Sequence, residues 1–198
     1  DILCQYICEK IPEPVRDLNA ILKLIVVRSF NINKPDTDIN NLQGGVVGGT
    51  VVKGKLNIGD NVTVCPGYVT KTTNGESKRK WCYKPLITKV LSINSEKNNL
   101  TSAIPGGLIG VQLDIDPGFA AKDGLVGHLV TLPNNLENYR VYETLFIQFN
   151  LLDRLNSLNI KKDDILIINC NSNNTKGKVV KVKVHKMEID LLECPICL

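Results

Sequence analysis

Short apolar runs, separated by clusters of Gly, Pro, Asn and Asp, occupy most of this chain. The segment LKLIVVRSF, from Leu22, is apolar and β-branched, which predicts a buried strand. Turn residues such as Gly59, in NIGD, separate the runs that follow. Further strands are predicted in GGTVVKGKL, DNVTVCP, PLITKVLSI, GLIGVQLDI and LVGHLVTL. Because long helical patterns are almost lacking, the sequence predicts an all-β fold built from barrels or sandwiches.

The first residues are the exception to the strand pattern. Ile2, Leu3, Tyr6 and Ile7 recur at helical spacing, and the prolines of KIPEPVRD end the predicted helix. A helix this short is not stable alone. We therefore interpret residues 1–19 as the end of a preceding domain and its linker.

A second boundary is predicted near TLPNNLENYRVY, which divides the strands into a barrel over 20–132 and a unit over 133–198. In the second unit, ETLFIQFNLL, DDILIINC and GKVVKVKVHKMEIDLLE are each predicted to be a strand. This unit has only about 66 residues, which is small for an independent core. Since a barrel must pair all its strands, we expect this second barrel to be incomplete.

Composition limits the binding partners and the cellular compartment that are expected for this protein. The 198 residues carry a net charge of +4, which is compatible with an RNA partner but too weak for a ribosomal or histone-like protein. Seven scattered cysteines favour reduced thiols over a disulfide framework. The sequence shows neither a signal peptide nor an apolar run long enough for a membrane span. These features predict a cytoplasmic protein without a membrane partner.

Motifs for catalysis are weak. His128 and His185 are the only imidazoles, and neither lies near a nucleophile motif. Asn33–Asp36, NKPD, resembles the guanine-specificity motif of GTPases, but the chain has no phosphate-binding P-loop to accompany it. The sequence thus predicts no catalytic residue and no cofactor in this segment, and a surface loop at NKPD.

Three further groups of residues are candidates for binding. Asp36, Asp38 and Asn41 lie in the NKPD loop and are predicted to contact a protein. Cys194–Cys197, CPIC, offers two of the four ligands of a structural zinc site, so a coincidental pair is favoured and no metal is predicted. Ser77–Trp81, SKRKW, places cations beside an indole and is able to grip phosphate, although a solvated loop is the simpler interpretation.

The strongest local signal is LQGGVVGGTVVKGKLNIGDNVTV, Leu42–Val64. Its glycine pairs, Gly44-Gly45 and Gly48-Gly49, lie before or inside a strand, where glycine marks a bend or the close approach of another backbone or ligand. A barrel corner is the simpler interpretation. A wall that is open to a nucleotide or an aminoacyl group is the functional alternative.

These glycines also carry a family resemblance. GGTVVKGKLNIGD is similar to the second domain of translational GTPases such as elongation factor Tu. The longer block from IVVRSF to NIGD, with KPLITKVLSI and NNLTSAIPGGLIGVQLDIDP, resembles the gamma subunit of initiation factor 2, and CQYICEKIPEPVRD resembles the last helix of its GTPase domain. The resemblance is weaker beyond Arg154, where asparagines and a lysine occupy positions that are usually small or hydroxylated: Asn171, Asn173, Asn174 and Lys176.

The resemblance implies a translation initiation factor that binds and hydrolyses GTP, with Mg²⁺, through a first domain absent from this sequence. It also implies that the barrels perform no chemistry. The expected partners are initiator methionyl-tRNA, the alpha subunit on the second domain, the beta subunit on the GTPase domain, and the small ribosomal subunit. The tRNA-facing residues carried over by motif are Gly48, Gly49, Val51, Ile109, Gly110 and Val111.

Several alternatives remain open at this point. Core packing is the competing role for Ile109 and Val111. The barrels are also compatible with an elongation factor or a selenocysteine-specific factor. From other classes, a cytosolic scaffolding β-barrel without an RNA role and a cysteine-based redox or metal protein built on Cys194 and Cys197 are possible.

Overall fold

The computed structural model describes residues 1–72, 80–152 and 159–198. Two α-helices are present among them, α1 (Ile2–Lys10) and α2 (Pro117–Ala120). The first nine strands are β1 (Lys23–Phe30), β2 (Val46–Lys53), β3 (Leu56–Asn57), β4 (Asn61–Lys71), β5 (Trp81–Ser95), β6 (Asn98–Leu100), β7 (Ser102–Ala103), β8 (Ile109–Leu113) and β9 (Leu129–Thr131). The remaining strands are β10 (Val141–Tyr142), β11 (Thr144–Gln148), β12 (Ile165–Cys170), β13 (Asn173–Lys183), β14 (Lys186–Leu191) and β15 (Ile196–Cys197).

Six strands close into a barrel, in the order β4-β9-β1-β2-β8-β5, with β5 pairing back onto β4. Closure satisfies the backbone groups that an open sheet would leave along its edges. The result confirms the predicted all-β class. Within LVGHLVTL only β9 is a strand, because residues 125–128 form turns on the way into the barrel.

The barrel core follows from the two-residue period of its strands. Leu24 and Val26 on β1, and Val47 and Val51 on β2, point inward and are essentially inaccessible to solvent. A bulge interrupts this period in β1, where Val26 pairs with Gly49 and Arg28 with Gly48, so that Val27 is an extra residue. After the bulge, Ser29 is the buried position and Arg28 is exposed.

Helix α1 has no buried residue in the part of the chain that the structure describes. Its residues are all exposed, and its apolar side chains Ile2, Leu3 and Tyr6 face solvent. The helix ends at Lys10, before Pro12, as the sequence predicts. Among the described residues, no helix has the length and apolar content that a bilayer crossing would require.

The C-terminal unit consists of a four-stranded antiparallel sheet, β11-β14-β13-β12, and the separate pair β10-β15. Within the described ranges, β11 and β12 each pair with one neighbour, so this sheet does not close as the first one does. The single strand predicted over GKVVKVKVHKMEIDLLE is wrong. It is the hairpin β13–β14, which turns at Val184-His185, where His185 has a φ of 57°.

Side-chain and backbone contacts join the two units. The Tyr139 hydroxyl donates to the Leu22 carbonyl at 3.1 Å, and the Ser172 hydroxyl donates to the Val26 carbonyl. At the base of the β4–β5 hairpin, the Lys80 ammonium lies 2.8 Å from the Asp190 carboxylate. The hairpin-like insertion predicted around Asn74-Gly75 lies between Thr72 and Lys80, outside the described residues.

Candidate RNA-binding face of the barrel

One row of residues crosses four neighbouring strands on the outer surface of the barrel. Gly48 on β2 lies opposite Arg28 on β1 and opposite Gly110 on β8, and Gly110 lies opposite Asn94 on β5. All four positions are half-buried or exposed. We call this row, Arg28–Gly48–Gly110–Asn94, the glycine groove.

The centre of the glycine groove is bare backbone. A Cβ atom placed on Gly110 would meet its nearest neighbour, the Asn94 carbonyl oxygen, only at 4.0 Å. A Cβ atom on Gly48 would lie 3.5 Å from the Arg28 Cβ. Side chains would fit at both positions, so packing of the barrel does not explain the absence of a side chain. A flat ligand group can therefore lie directly against the main chain of β2 and β8.

A cation borders the groove at β1. The Arg28 Nε donates to the Asp123 carboxylate at 2.9 Å, and the Ser29 amide donates to the same oxygen at 2.9 Å. These hydrogen bonds, that from Ser29 first and that from Arg28 second, hold the pKa of Asp123 below its usual value. The ion pair is exposed and adds little to stability. It does orient the guanidinium, whose terminal amino groups are directed to no acceptor among the described residues.

The structure places the six predicted tRNA-facing residues on two sides of the barrel wall. Gly48 and Gly110 face outward, whereas Gly49 is buried, and a Cβ atom there would lie 2.0 Å from the Ile25 carbonyl oxygen. The side chains predicted beside these glycines are in the core: Val51, Ile109 and Val111. This burial favours the core-packing alternative, because it leaves only their main chain near the surface. Contact of any of the six residues with tRNA stays a prediction.

Asn33 has a structural role in the NKPD loop. The Asn33 side chain accepts from the Gln43 amide at 2.7 Å and donates to the Gln43 carbonyl at 2.8 Å. This two-way contact closes the loop between β1 and β2. It occupies the amide group that a guanine-recognition motif would present to its ligand, and thus supports the interpretation as a surface loop.

The predicted protein-contact residues lie together on this loop and are exposed. Asp38 accepts from the Asn40 amide at 2.8 Å and so caps a short 3₁₀ helix, Ile39–Asn41, while Asp36 adopts a positive φ of 64°. Beside them, the Ile39 side chain is 84% exposed. An apolar side chain held outward between acidic and amide groups is suited to a protein partner. A lone isoleucine in a polar loop has no periodic signal, so Ile39 is not predictable as a contact residue from the sequence.

The two cysteines of CPIC are not arranged to bind one metal ion. The Cys194 thiol donates to the Asn173 side-chain oxygen at 3.3 Å, whereas the Cys197 thiol donates to the Cys65 sulfur at 3.2 Å, so the CPIC pair does not converge. No metal-ligand cluster occurs in residues 1–72, 80–152 or 159–198. Of SKRKW, Ser77–Arg79 lie outside the described residues. Trp81 is only 6% exposed, so its indole is not free to stack on a base.

His128 has a structural position. Its Nε2 lies 2.9 Å from the Gly67 carbonyl oxygen and its Nδ1 3.4 Å from that of Val126, and burial lowers its pKa. No hydroxyl or thiol nucleophile hydrogen-bonds to this ring in the described part of the chain. A neutral imidazole between two carbonyls supports the turn that enters β9.

Comparison with known proteins identifies the class of the barrel. Residues 44–126 match the family model described as Elongation factor Tu domain 2. This range contains Gly48, Gly110 and Asn94 of the glycine groove. The central part of the barrel, from β2 to β8, is therefore similar to elongation factor Tu domain 2.

Three relatives resolve the class further, and each aligns with 100% of the chain. The chain is 38% identical to eukaryotic translation initiation factor 2 subunit 3 of Drosophila melanogaster, of which it covers 42%, and 38% identical to the gamma subunit of Schizosaccharomyces pombe, of which it covers 45%. It is 37% identical to the translation initiation factor 2 gamma subunit of Methanococcus vannielii, of which it covers 48%. Along its whole length, the chain is thus a homologue of initiation factor 2 gamma subunits and spans less than half of their length.

Proposed function

We propose that this chain forms the tRNA-binding and alpha-subunit-binding barrels of a translation initiation factor, and that charged initiator methionyl-tRNA lies along the glycine groove. The observation that carries the proposal is the row Arg28–Gly48–Gly110–Asn94, in which a cation and an amide flank two outward glycines. Whole-chain similarity to initiation factor 2 gamma subunits supports the same role.

The groove has the features that an aminoacylated RNA end would need. Bare main chain at Gly48 and Gly110 gives a base, a ribose or an aminoacyl group room to pack closely. The Arg28 guanidinium can contact a phosphate, and Asn94 provides an amide donor and acceptor at the opposite border. The chain is only weakly basic, so this arrangement suits a local contact within a larger complex.

In this proposal the barrels perform no chemistry. Binding and hydrolysis of GTP, with Mg²⁺, belong to the GTPase domain of the whole protein, because the present sequence contains no P-loop. The beta subunit binds that domain, and the alpha subunit binds the loop that carries Asp36, Asp38, Ile39 and Asn41. The assembled factor delivers the tRNA to the small ribosomal subunit in the cytoplasm.

The RNA role of Arg28 can be tested within the whole factor. Replacing Arg28 with alanine is expected to reduce the affinity for charged initiator tRNA roughly three- to tenfold, because one phosphate contact is lost. Filter binding over a series of salt concentrations measures this change, and the salt slope should decrease. The matched control is Lys53→Ala, since Lys53 is exposed at the far end of β2. Equal losses for the two variants would mean that charge in general, and not the groove, determines binding.

The protein contact is tested at Ile39. Replacing Ile39 with aspartate is expected to reduce alpha-subunit affinity roughly tenfold or more, because an exposed apolar anchor becomes an anion. Isothermal titration calorimetry with the purified alpha subunit measures the affinity. Ile87→Asp is the control, because Ile87 is 76% exposed on a different strand, β5. Unchanged affinity of the Ile39 variant would place the alpha subunit elsewhere.

A further inference from the structure

Two thiols meet where the barrel contacts the C-terminal unit. Cys65 lies on β4 of the barrel, and Cys197 lies on β15 of the C-terminal unit, 132 residues further along the chain. Their sulfur atoms are 3.2 Å apart, and the residues are 2% and 1% exposed. The other five cysteines are exposed or half-buried.

We propose that Cys65 and Cys197 are a redox-sensitive pair, which a hydroperoxide oxidises to a disulfide that covalently joins the barrel to the C-terminal unit. The geometry carries this proposal. The sulfur atoms are already in contact, and a disulfide requires them to approach by only about a further 1 Å. Pairing of β15 with β10 fixes Cys197 within the C-terminal unit, and the contact of Tyr139 with Leu22 holds this unit against the barrel during the approach.

The hydrogen bond between the thiols assigns the two roles in the reaction. Cys197 donates its S–H to the sulfur of Cys65, which lowers the pKa of Cys65 and raises that of Cys197. Because Cys65 is the sulfur that accepts this hydrogen bond, we assign it as the attacking sulfur, which reacts as the thiolate, and Cys197 as the resolving thiol. Attack of the Cys65 thiolate on hydrogen peroxide breaks the O–O bond and gives a sulfenic acid and hydroxide. The Cys197 sulfur then displaces the sulfenic hydroxyl as water, and the disulfide forms.

The surroundings of the pair determine which oxidants can act. Leu129 is buried beside the two sulfurs, and Ile25, Leu136 and Val141 pack around them. Bulky oxidants and alkylating reagents are excluded by this apolar shell, whereas hydrogen peroxide is small enough to enter through local opening. Cys4, Cys8 and Cys82 are exposed and provide an internal reference for reagents that remain outside.

The Cys65–Cys197 disulfide would restrict the motion of the barrel relative to the C-terminal unit. In the reduced protein, noncovalent contacts such as the Lys80–Asp190 ion pair hold the barrel and the C-terminal unit together. The disulfide would link positions 132 residues apart, so it would stabilise the joined arrangement mainly by restricting the unfolded and separated states. This inference does not depend on the proposed RNA role.

The test begins with the fully reduced chain. The protein is treated with substoichiometric hydrogen peroxide, free thiols are alkylated in denaturant, and a non-reducing digest is examined by mass spectrometry. The expected product is a Cys65–Cys197 linked peptide that has lost two hydrogen atoms and is separated by dithiothreitol. Oxidation should also raise the Tm by about 5 to 10 °C, reversibly.

Two cysteine variants test whether the product depends on Cys197. Cys197→Ser should abolish both the linked peptide and the Tm increase, whereas Cys82→Ser, at an exposed cysteine, should retain both. Because the linked peptide is measured in the unaltered chain, the test stands even if a variant folds poorly. Recovery of Cys65 and Cys197 as separate thiols or as sulfinic acids, while the exposed cysteines become cross-linked, would overturn the proposal.

Discussion

Replacing Gly110 with valine is expected to reduce the affinity of the whole factor for charged initiator tRNA at least about tenfold, without loss of barrel stability. The new side chain would stand in the middle of the glycine groove, between Gly48 and Asn94, and would block close approach to the main chain. The fold should accept valine, because a Cβ atom at this position has no neighbour closer than 4.0 Å among the described residues and valine favours strands. Equilibrium binding of labelled methionyl-tRNA measures the effect.

The control for Gly110→Val adds apolar bulk elsewhere. Val180→Leu enlarges an exposed strand residue of the C-terminal sheet and should leave tRNA affinity unchanged. Thermal unfolding of both variants separates a blocked groove from a damaged fold. Full affinity in a stable Gly110→Val protein would show that the RNA end lies on another surface.

Replacing Gly49 with alanine, one residue along from Gly48, is expected to destabilise the barrel by about 3 kcal/mol or more. The added Cβ would lie 2.0 Å from the Ile25 carbonyl oxygen, which belongs to the adjacent strand β1. Backbone atoms of a closed barrel cannot move away as the end of a flexible side chain can. Urea unfolding followed by circular dichroism measures the loss.

Gly48→Ala is the matched control on the same strand. Its Cβ would meet the Arg28 Cβ at 3.5 Å, which is ordinary contact, so we expect a change within about 1 kcal/mol. The pair of substitutions thus compares an inward with an outward glycine at adjacent positions. If the two variants were equally stable, β1 and β2 would have to lie further apart than the structure shows.

The barrel was predictable because its signal is local. Alternation of apolar residues and clusters of turn residues follow directly from strand geometry, and they locate β1, β2, β4, β5 and β8. The same alternation failed at Val184-His185, where it continues through a tight hairpin turn without Gly, Pro or Asn to mark it. A turn that depends on positive φ at a histidine has little compositional signal.

The candidate site was only partly predictable because its composition depends on register between distant strands. The sequence drew attention to the glycines but not to which member of each pair faces outward. Arg28 and Asn94 border the groove only because β1 and β5 pair in a particular register with β2 and β8. Contact between Cys65 and Cys197 depends in the same way on docking of two units, which no local pattern encodes.

The bulge at Val27 affects how the equivalent of Arg28 should be identified in an alignment of related chains. Counting alternate residues from Leu24 would assign Arg28 to the barrel interior. The extra residue of the bulge, Val27, instead places Arg28 on the outer surface. A relative that lost this one residue together with the bulge would keep its cation at the same surface. An alignment that treated such a deletion as a shift of the whole strand would match the arginine with the buried serine and overlook the cation beside the groove.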